Sequence, residues 1–209
     1  MRVLLTGFGP FPGAPFNPSA VLIKALAGRQ RPAFAGITRT THIFATTYEA
    51  VDHDLPKLFA RKPDIVLMFG LAGSRRHVCI ETRARNAVSL LFPDASGHRA
   101  ERGLIVPRGQ SGLRGNAPFA DLLGALRGRG IPSRLSRDAG RYLCNYLYWR
   151  ALERADGGPA LVQFIHIPLV RYNSRRRHQS RSVAFRPLLL AAERLLLALI
   201  ATKRRQSLR

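Results

Sequence analysis

Short apolar runs alternate along the chain with longer segments in which apolar residues recur at helical spacing. The short runs are rich in Val, Ile, Leu and Phe and mostly end at Gly or Pro, which is typical of buried strands. The runs that predict strands are 2–6, 36–46, 63–73, 77–81, 131–136 and 160–168. The segments that predict helices are 18–27, 48–61, 118–128, 143–152 and 187–203.

This alternation of strands and helices predicts an α/β fold with a largely parallel sheet covered on both faces. We expect the run 131–136 to be a short buried strand, and the helix over 48–61 to be interrupted near Pro56. Residues 93–116 are rich in Gly, Pro and Ser and predict a long loop.

The length of the chain, 209 residues, suits one domain with a large core, so we expect a single domain over 1–209. Two cysteines do not predict a disulfide scaffold. The N-terminal apolar stretch is too short for a signal peptide, and the apolar segment 187–201 is short for a membrane span and carries Glu193 and Arg194. These features predict a cytoplasmic protein that does not bind membranes.

The net charge is strongly positive at +22, and all but four of the 34 basic residues are arginine. A chain with this charge is expected to bind polyanions nonspecifically. Basic residues are dense in a predicted loop at 171–182, before the last helix. RNA or polyanion binding is therefore one alternative function, although only Tyr172 and Phe185 add aromatic rings to the basic C-terminal part.

Cys144 lies at the start of a predicted helix, just after the chain-breaking sequence Asp138-Ala139-Gly140. A thiol in the first turn of a helix is close to unpaired backbone N–H groups and to the positive end of the helix dipole. Both favour the thiolate, which is the nucleophilic form of cysteine. Cys144 is thus a candidate nucleophile. The alternative is a small buried apolar residue, as free cysteines often are.

Glu81 ends one predicted strand, and His166 interrupts the apolar run of another. Because side chains at the carboxyl ends of strands gather at one edge of an α/β sheet, these two residues and Cys144 could form a cysteine hydrolase site. The alternatives are a hydrogen-bonded core histidine and a surface ion pair of Glu81. The cysteines and histidines lack metal-ligand spacing, and neither a P-loop nor a GxGxxG motif is present, so we expect no metal or nucleotide cofactor.

Five separated motifs occur in order over residues 1–168. They are TGFGPFPG with FNPS near the N-terminus, GLAGSR at 70–75, ETRARN at 81–86, AGRYLCNYLYW at 139–149 and FIHIP at 164–168. Together they resemble the pyroglutamyl-peptidase I (pyrrolidone-carboxylate peptidase) family. The resemblance implies a three-layer α/β/α sandwich around a mixed, largely parallel sheet. It also implies a cytosolic, cofactor-free cysteine peptidase that removes N-terminal pyroglutamyl residues from peptides and assembles as a tetramer or dimer.

The resemblance also implies roles for individual residues. It makes Cys144 the nucleophile, His166 the base and Glu81 the carboxylate that orients the imidazole. Phe8 and Phe11 would sandwich the flat lactam ring, which aromatic faces can hold by burial and stacking. Asn17 and Leu71 are the further residues that we assign to substrate binding.

The chain departs from the family pattern at the position where an arginine lies near the substrate oxyanion, because Leu91 stands there. The negative charge that develops during acyl transfer then needs another partner. The candidates are the backbone N–H of Cys144 and a substitute cation, Arg83 or Arg85. If neither acts, the chain is a weakened or substrate-shifted relative of the family.

Overall fold

The computed structural model describes residues 1–11, 14–128, 130–172 and 182–208. Within them, the strands are β1 Arg2–Phe8, β2 Thr38–Phe44, β3 Ile65–Leu71, β4 Val78–Glu81, β5 Arg83–Arg85, β6 Gly112–Arg114, β7 Ser133–Ser136, β8 Leu161–Ile167, β9 Leu169–Arg171 and β10 Ser182–Ala184. The helices are α1 Pro18–Ala27, α2 Tyr48–Ala60, α3 Phe119–Arg127, α4 Leu143–Ala155 and α5 Phe185–Gln206, with a 3-10 turn at Pro32–Phe34.

Six strands form the central sheet in the order β2-β1-β3-β8-β4-β7. The pairs from β2 through β8 are parallel, β4 runs antiparallel to β8, and β7 is parallel to β4. The sheet is therefore mixed and mostly parallel, which confirms the predicted fold class. Two short strand pairs, β5–β6 and β9–β10, lie outside this sheet.

Helices cover both faces of the sheet, which confirms the three-layer arrangement. In β3, Ile65, Leu67 and Phe69 pack in one hydrophobic layer with α1, α3 and α5, whereas Val66 and Met68 pack in the other with α2 and α4. Successive side chains of a strand point to opposite faces, so a strand buried on both faces is apolar throughout. This is why the strand runs of the sequence are continuous rather than alternating.

Two local predictions were wrong. Helix α2 continues through Pro56, because Val51, Leu55 and Leu58 on either side of it are buried against the sheet and hold the helix together. Strand β7 is not buried: it is the last strand of the sheet, and Leu135 is 43% exposed. A strand paired on one side only has one neighbour to cover its side chains.

Two further differences concern a connecting segment and the last helix. The predicted loop 93–116 contains β6, which closes back onto β5. Most of the predicted basic loop 171–182 lies outside the described residues. The last helix, α5, is longer than predicted, and its buried Glu193 is paired with Arg29 and Arg31 at 2.6 Å each. Among the described residues, no helix is both long and apolar enough to cross a membrane.

Candidate active site

The loop that leads into α4 presents Cys144 at the start of the helix. A tight turn precedes the helix, in which the N–H of Gly140, at φ 84°, donates to the Asp138 carboxylate at 3.0 Å. The N-cap residue is Tyr142, and its side chain makes no capping hydrogen bond. The first N–H groups of α4 are therefore not capped by that residue, and Cys144 lies among them.

The sulfur of Cys144 lies against the sheet at Gly70 of β3. A methyl group added at Gly70 would be 2.7 Å from this sulfur and 2.7 Å from Cζ of Phe164. Glycine is the residue that leaves room for the thiol here. Because Gly70 is paired in register with His166 on β8, the thiol lies one strand away from the imidazole.

His166 and Glu81 form a buried hydrogen bond across the antiparallel pair β8–β4. Nδ1 of His166 is 2.8 Å from Oε1 of Glu81, and the two side chains are 6% and 0% exposed. An ionised carboxylate only accepts hydrogen bonds, so Nδ1 carries the proton. In the neutral ring Nε2 is then free to accept a proton, which is the tautomer that a general base requires.

Arg75, which the sequence analysis did not single out, contacts the same carboxylate. Its Nη1 donates to Oε1 of Glu81 at 2.7 Å, and its Nη2 donates to the carbonyl of Asp138 at 2.6 Å. The arginine thus joins the carboxylate to the loop that carries Cys144. Its place in the motif GLAGSR was visible in the sequence, but its contacts depend on how the loop after β3 folds back.

Burial and charge determine how these groups titrate. Burial by itself would raise the pKa of Glu81, but the hydrogen bond and charge of His166, then Ser136 and Arg75, outweigh it, so the pKa is lowered. Burial raises the pKa of Cys144 to about 12, and the negative charge of Glu81 acts in the same direction. Desolvation and the charge of Glu81 therefore act against the thiolate that the sequence analysis expects at the helix start.

The residues assigned to the lactam ring lie around the ends of β1 and β3. Phe8 is buried in the α2/α4 layer, with its ring centroid 6.1 Å from that of Phe44, whereas Phe11 is half-buried in the loop after β1. Asn17 braces this loop: its side-chain amide donates to the carbonyl of Gly9 at 3.1 Å and its oxygen caps α1. Leu71 is the half-buried last residue of β3, one residue after Gly70.

The two candidate oxyanion arginines lie in different places. Arg85 reaches the loop before Cys144 and pairs with the carboxylate of Asp138 at 3.4 Å. Arg83 instead donates to the hydroxyl of Ser111 at 2.8 Å. Leu91 is 74% exposed.

A second residue that the sequence analysis missed is the buried Asn145. Its amide side chain accepts from the N–H of Arg85 and donates to the carbonyls of Arg85 and Ala87, all at 2.8–2.9 Å. Asn145 therefore ties the segment that carries the oxyanion candidates to the first turn of α4. In the described part of the chain, no three His, Cys, Asp or Glu side chains are grouped so that they could hold a metal ion.

An α/β/α sandwich in which a cysteine, a histidine and a carboxylate converge at one edge of the sheet has the arrangement of a cysteine hydrolase. The model of the pyroglutamyl peptidase family matches residues 1–194, and the chain belongs to this family. The chain is 34% identical to a pyrrolidone-carboxylate peptidase of Pyrococcus furiosus over 173 residues, which cover 81% of this chain and 82% of that protein.

Further relatives and solved structures agree with this assignment. A pyrrolidone-carboxylate peptidase of Vibrio vulnificus is 30% identical over 202 residues, 97% of this chain and 94% of that protein. The crystal structure of Bacillus amyloliquefaciens pyroglutamyl peptidase I superposes with a TM-score of 0.84 at 26% identity, over 97% of this chain and 98% of that one. A mutant pyrrolidone carboxyl peptidase from Pyrococcus furiosus superposes with a TM-score of 0.85 at 28% identity, over 97% and 99% of the two chains.

Proposed function

We propose that this protein removes N-terminal pyroglutamyl residues from peptides, with Cys144 as nucleophile, His166 as base and Glu81 as the carboxylate that orients the imidazole. The observation that carries the assignment of roles is the position of the Cys144 sulfur at Gly70, next to His166, whose ring is held by Glu81 at 2.8 Å. The reaction class follows from the family.

The raised pKa of Cys144 determines how the reaction begins. The thiol is neutral near pH 7, so its proton passes to Nε2 of His166 as the sulfur attacks the pyroglutamyl carbonyl carbon. His166 then gives this proton to the departing amine, which leaves a thioester on Cys144. Water, deprotonated by His166, then attacks the thioester carbon, the C–S bond breaks, and His166 returns the proton to the Cys144 sulfur as pyroglutamate leaves. Glu81 stabilises the imidazolium during both steps.

The start of α4 supplies donors for the oxyanion. Because the side chain of the N-cap residue, Tyr142, does not cap the first turn, the backbone N–H of Cys144 is suited to meet the charge that develops on the carbonyl oxygen. Arg85, which pairs at 3.4 Å with Asp138 in the loop before Cys144, is the cation that we assign to the same role. A family arginine is replaced by Leu91, so these two sources carry the whole stabilisation.

The lactam ring is small, flat and uncharged, and it lacks the free ammonium by which other aminopeptidases hold a substrate. We assign the contact with the ring to Phe8 and Phe11, and Asn17 braces the loop that bears Phe11. A ring held by burial also needs polar partners for its N–H and carbonyl, which backbone groups near the end of β3, at Leu71, can provide.

A fluorogenic pyroglutamyl-amide substrate tests this proposal. Cys144→Ser is expected to abolish activity, whereas the other cysteine variant, Cys79→Ser, retains it. Because Cys144 is partly exposed and Cys79 is buried, iodoacetamide is expected to label Cys144 first. Circular dichroism and the melting temperature confirm that both variants fold. Full activity of Cys144→Ser, or loss of activity in Cys79→Ser alone, would contradict the assignment.

The assembly, domain structure and location belong to the same proposal. We place the chain in the cytoplasm as one pyroglutamyl-peptidase-like domain that forms a homo-oligomer, a tetramer or a dimer. The match of one family model over residues 1–194 supports the single domain. Sedimentation of the purified protein measures the number of chains, and a monomer at micromolar concentration would contradict the oligomer.

A further inference from the structure

An open cavity at the edge of the sheet brings three arginines together outside the candidate active site. Its volume is about 610 Å³, and the residues that line it are Thr82, Arg83, Arg114, Phe119, Leu135 and Arg137. Arg83 and Arg114 stand directly opposite each other in the antiparallel pair β5–β6, and Arg137 follows the edge strand β7. Like charges directly opposite each other on paired strands are destabilising unless something compensates them.

A wall of backbone separates this cavity from the candidate active site. Glu81 turns its side chain towards His166, and the next residue, Thr82, turns the other way and lines the cavity. The N–H and hydroxyl of Thr82 both donate to the carbonyl of Ser136, at 2.7 and 2.9 Å. The three arginines are therefore not part of the machinery that surrounds Cys144.

Within the described residues, the cavity has a positive charge that no neighbouring carboxylate neutralises. Among the residues that the structure describes, no carboxylate lies within 4 Å of Arg83, Arg114 or Arg137, and Arg83 is held by the hydroxyl of Ser111 at 2.8 Å. Elsewhere in the molecule arginines do approach carboxylates: Arg29, Arg31, Arg75, Arg85, Arg150 and Arg205. Three converging guanidinium groups without a counter-charge create a positive potential that attracts anions.

We propose that this cavity binds an oligophosphate, a chain of two or three phosphate groups. The planar fork of arginine matches the oxygens of phosphate, and three arginines on separate segments can contact more than one phosphate group. Phe119 and Leu135 add an apolar wall to the cavity. The phosphate chain can belong to an inorganic oligophosphate or to a nucleoside triphosphate, whose base would contact that wall.

Isothermal titration calorimetry with inorganic tripolyphosphate and with ATP tests the proposal, at low and at physiological salt. The variant Arg114→Gln/Arg137→Gln removes two exposed arginines of the cavity. The control Arg154→Gln/Arg194→Gln removes the same net charge from exposed positions on α4 and α5. We expect the cavity variant to weaken tripolyphosphate binding by about tenfold or more and the control by less than about twofold.

Each outcome decides the question. Tighter binding of ATP than of tripolyphosphate assigns the site to a nucleotide, and equal binding assigns it to the phosphate chain alone; both support the proposal. Equal weakening by the cavity and control variants shows that only the overall charge of +22 acts, and overturns it. Binding of a single-stranded RNA oligonucleotide that depends on Arg114 and Arg137, without binding of tripolyphosphate, also overturns it and indicates a nucleic-acid surface.

Discussion

Arg75 and His166 contact the same oxygen atom of Glu81, at 2.7 Å from Nη1 and 2.8 Å from Nδ1. One carboxylate oxygen accepts both bonds because it has two lone pairs. Since Arg75 also donates to the carbonyl of Asp138, it holds Glu81 and the loop before Cys144 in one arrangement. We infer that Arg75 is a positioning residue: it acts on the reaction through Glu81.

The first prediction follows from this shared oxygen. Arg75→Gln is expected to lower kcat by about 10- to 100-fold with a smaller change in KM, because the imidazole loses the support of its carboxylate. Arg75 helps to lower the pKa of Glu81, so its loss raises that pKa and shifts the acid limb of the kcat/KM profile to higher pH. Steady-state kinetics across pH measure both effects.

A neighbouring arginine supplies the control for this prediction. Arg76→Gln removes an equal charge from an exposed position and is expected to leave the pH profile in place. Arg75→Lys keeps the charge but not the planar fork. Compared with Arg75→Gln, it should return the acid limb of the pH profile close to its wild-type position but recover kcat only in part. A lower kcat in Arg75→Gln with an unmoved acid limb would reduce Arg75 to a structural role.

The second prediction concerns the space at Gly70. Gly70→Ala places a methyl group 2.7 Å from both the Cys144 sulfur and Cζ of Phe164, so these neighbours must shift and the thiol is displaced from its place beside β3. We expect kcat to fall by about 100-fold, because small displacements of a nucleophile are costly. In the control Gly73→Ala, the nearest atom is on Leu169 at 3.6 Å, an ordinary contact. Equal activity of both variants would show that the sulfur does not need its place at Gly70.

The candidate residues that the sequence suggested lie in or beside regular elements. Glu81 ends β4, His166 lies near the end of β8 and Cys144 lies in the first turn of α4, but Glu81 and His166 meet across an antiparallel strand pair and not at two parallel carboxyl ends. Arg75 lies in a loop, and its partners are 6 and 63 residues away along the chain. The hydrophobic periodicity of the sequence therefore does not reveal these contacts. The same holds for Asn145, which appears in the sequence only as one polar position on a helix.

The parts of the fold that were mispredicted depend on packing between distant segments. The pairing of β5 with β6 closes a long loop, and only the tertiary contacts decide where that loop returns. The run 131–136 contains apolar residues that suit a buried strand, but the topology places β7 last in the sheet. The burial that raises the pKa of Cys144 is likewise not visible in the sequence, although the helix start is.

The third prediction concerns stability. Glu193 is buried on α5, and although burial raises its pKa, the hydrogen bonds from Arg29 and Arg31 outweigh this and lower it. The pKa of Glu193 is therefore lower in the folded state than in the unfolded state. Its ion pairs stabilise the fold fully at pH values above the unfolded-state pKa, and this stabilisation is lost as the pH falls through the folded-state pKa. Removing one partner of a buried ion pair is destabilising. Because Arg29 and Arg31 are themselves partly exposed to solvent, we expect Glu193→Gln to lower the free energy of unfolding at neutral pH by only about 1–3 kcal/mol.

Denaturant unfolding at several pH values measures this cost. The control Glu153→Gln removes a carboxylate that is 41% exposed and paired with Arg150, and such surface pairs contribute at most about 1 kcal/mol. The difference between Glu193→Gln and the wild type should shrink in acid. A difference that stays constant down to low pH would show that packing, rather than charge, accounts for the effect.

The last prediction concerns the charge that develops on the substrate carbonyl. Leu91 stands where the resemblance to the family implies an arginine, and its exposed aliphatic side chain has no donor for the oxyanion. Arg85 lies by the loop before Cys144, whereas Arg83 lies in the separate cavity with Ser111. If Arg85 is the substitute cation, Arg85→Gln lowers kcat by up to about 100-fold with little change in KM. Under the same hypothesis, Arg83→Gln leaves kcat unchanged and Leu91→Arg raises it only slightly. Kinetics of the three variants on one pyroglutamyl amide distinguish the cases. If Arg85→Gln leaves kcat unchanged and Leu91→Arg raises it strongly, the protein is a weakened enzyme. If none of the three variants changes kcat, the backbone N–H of Cys144 is the oxyanion donor.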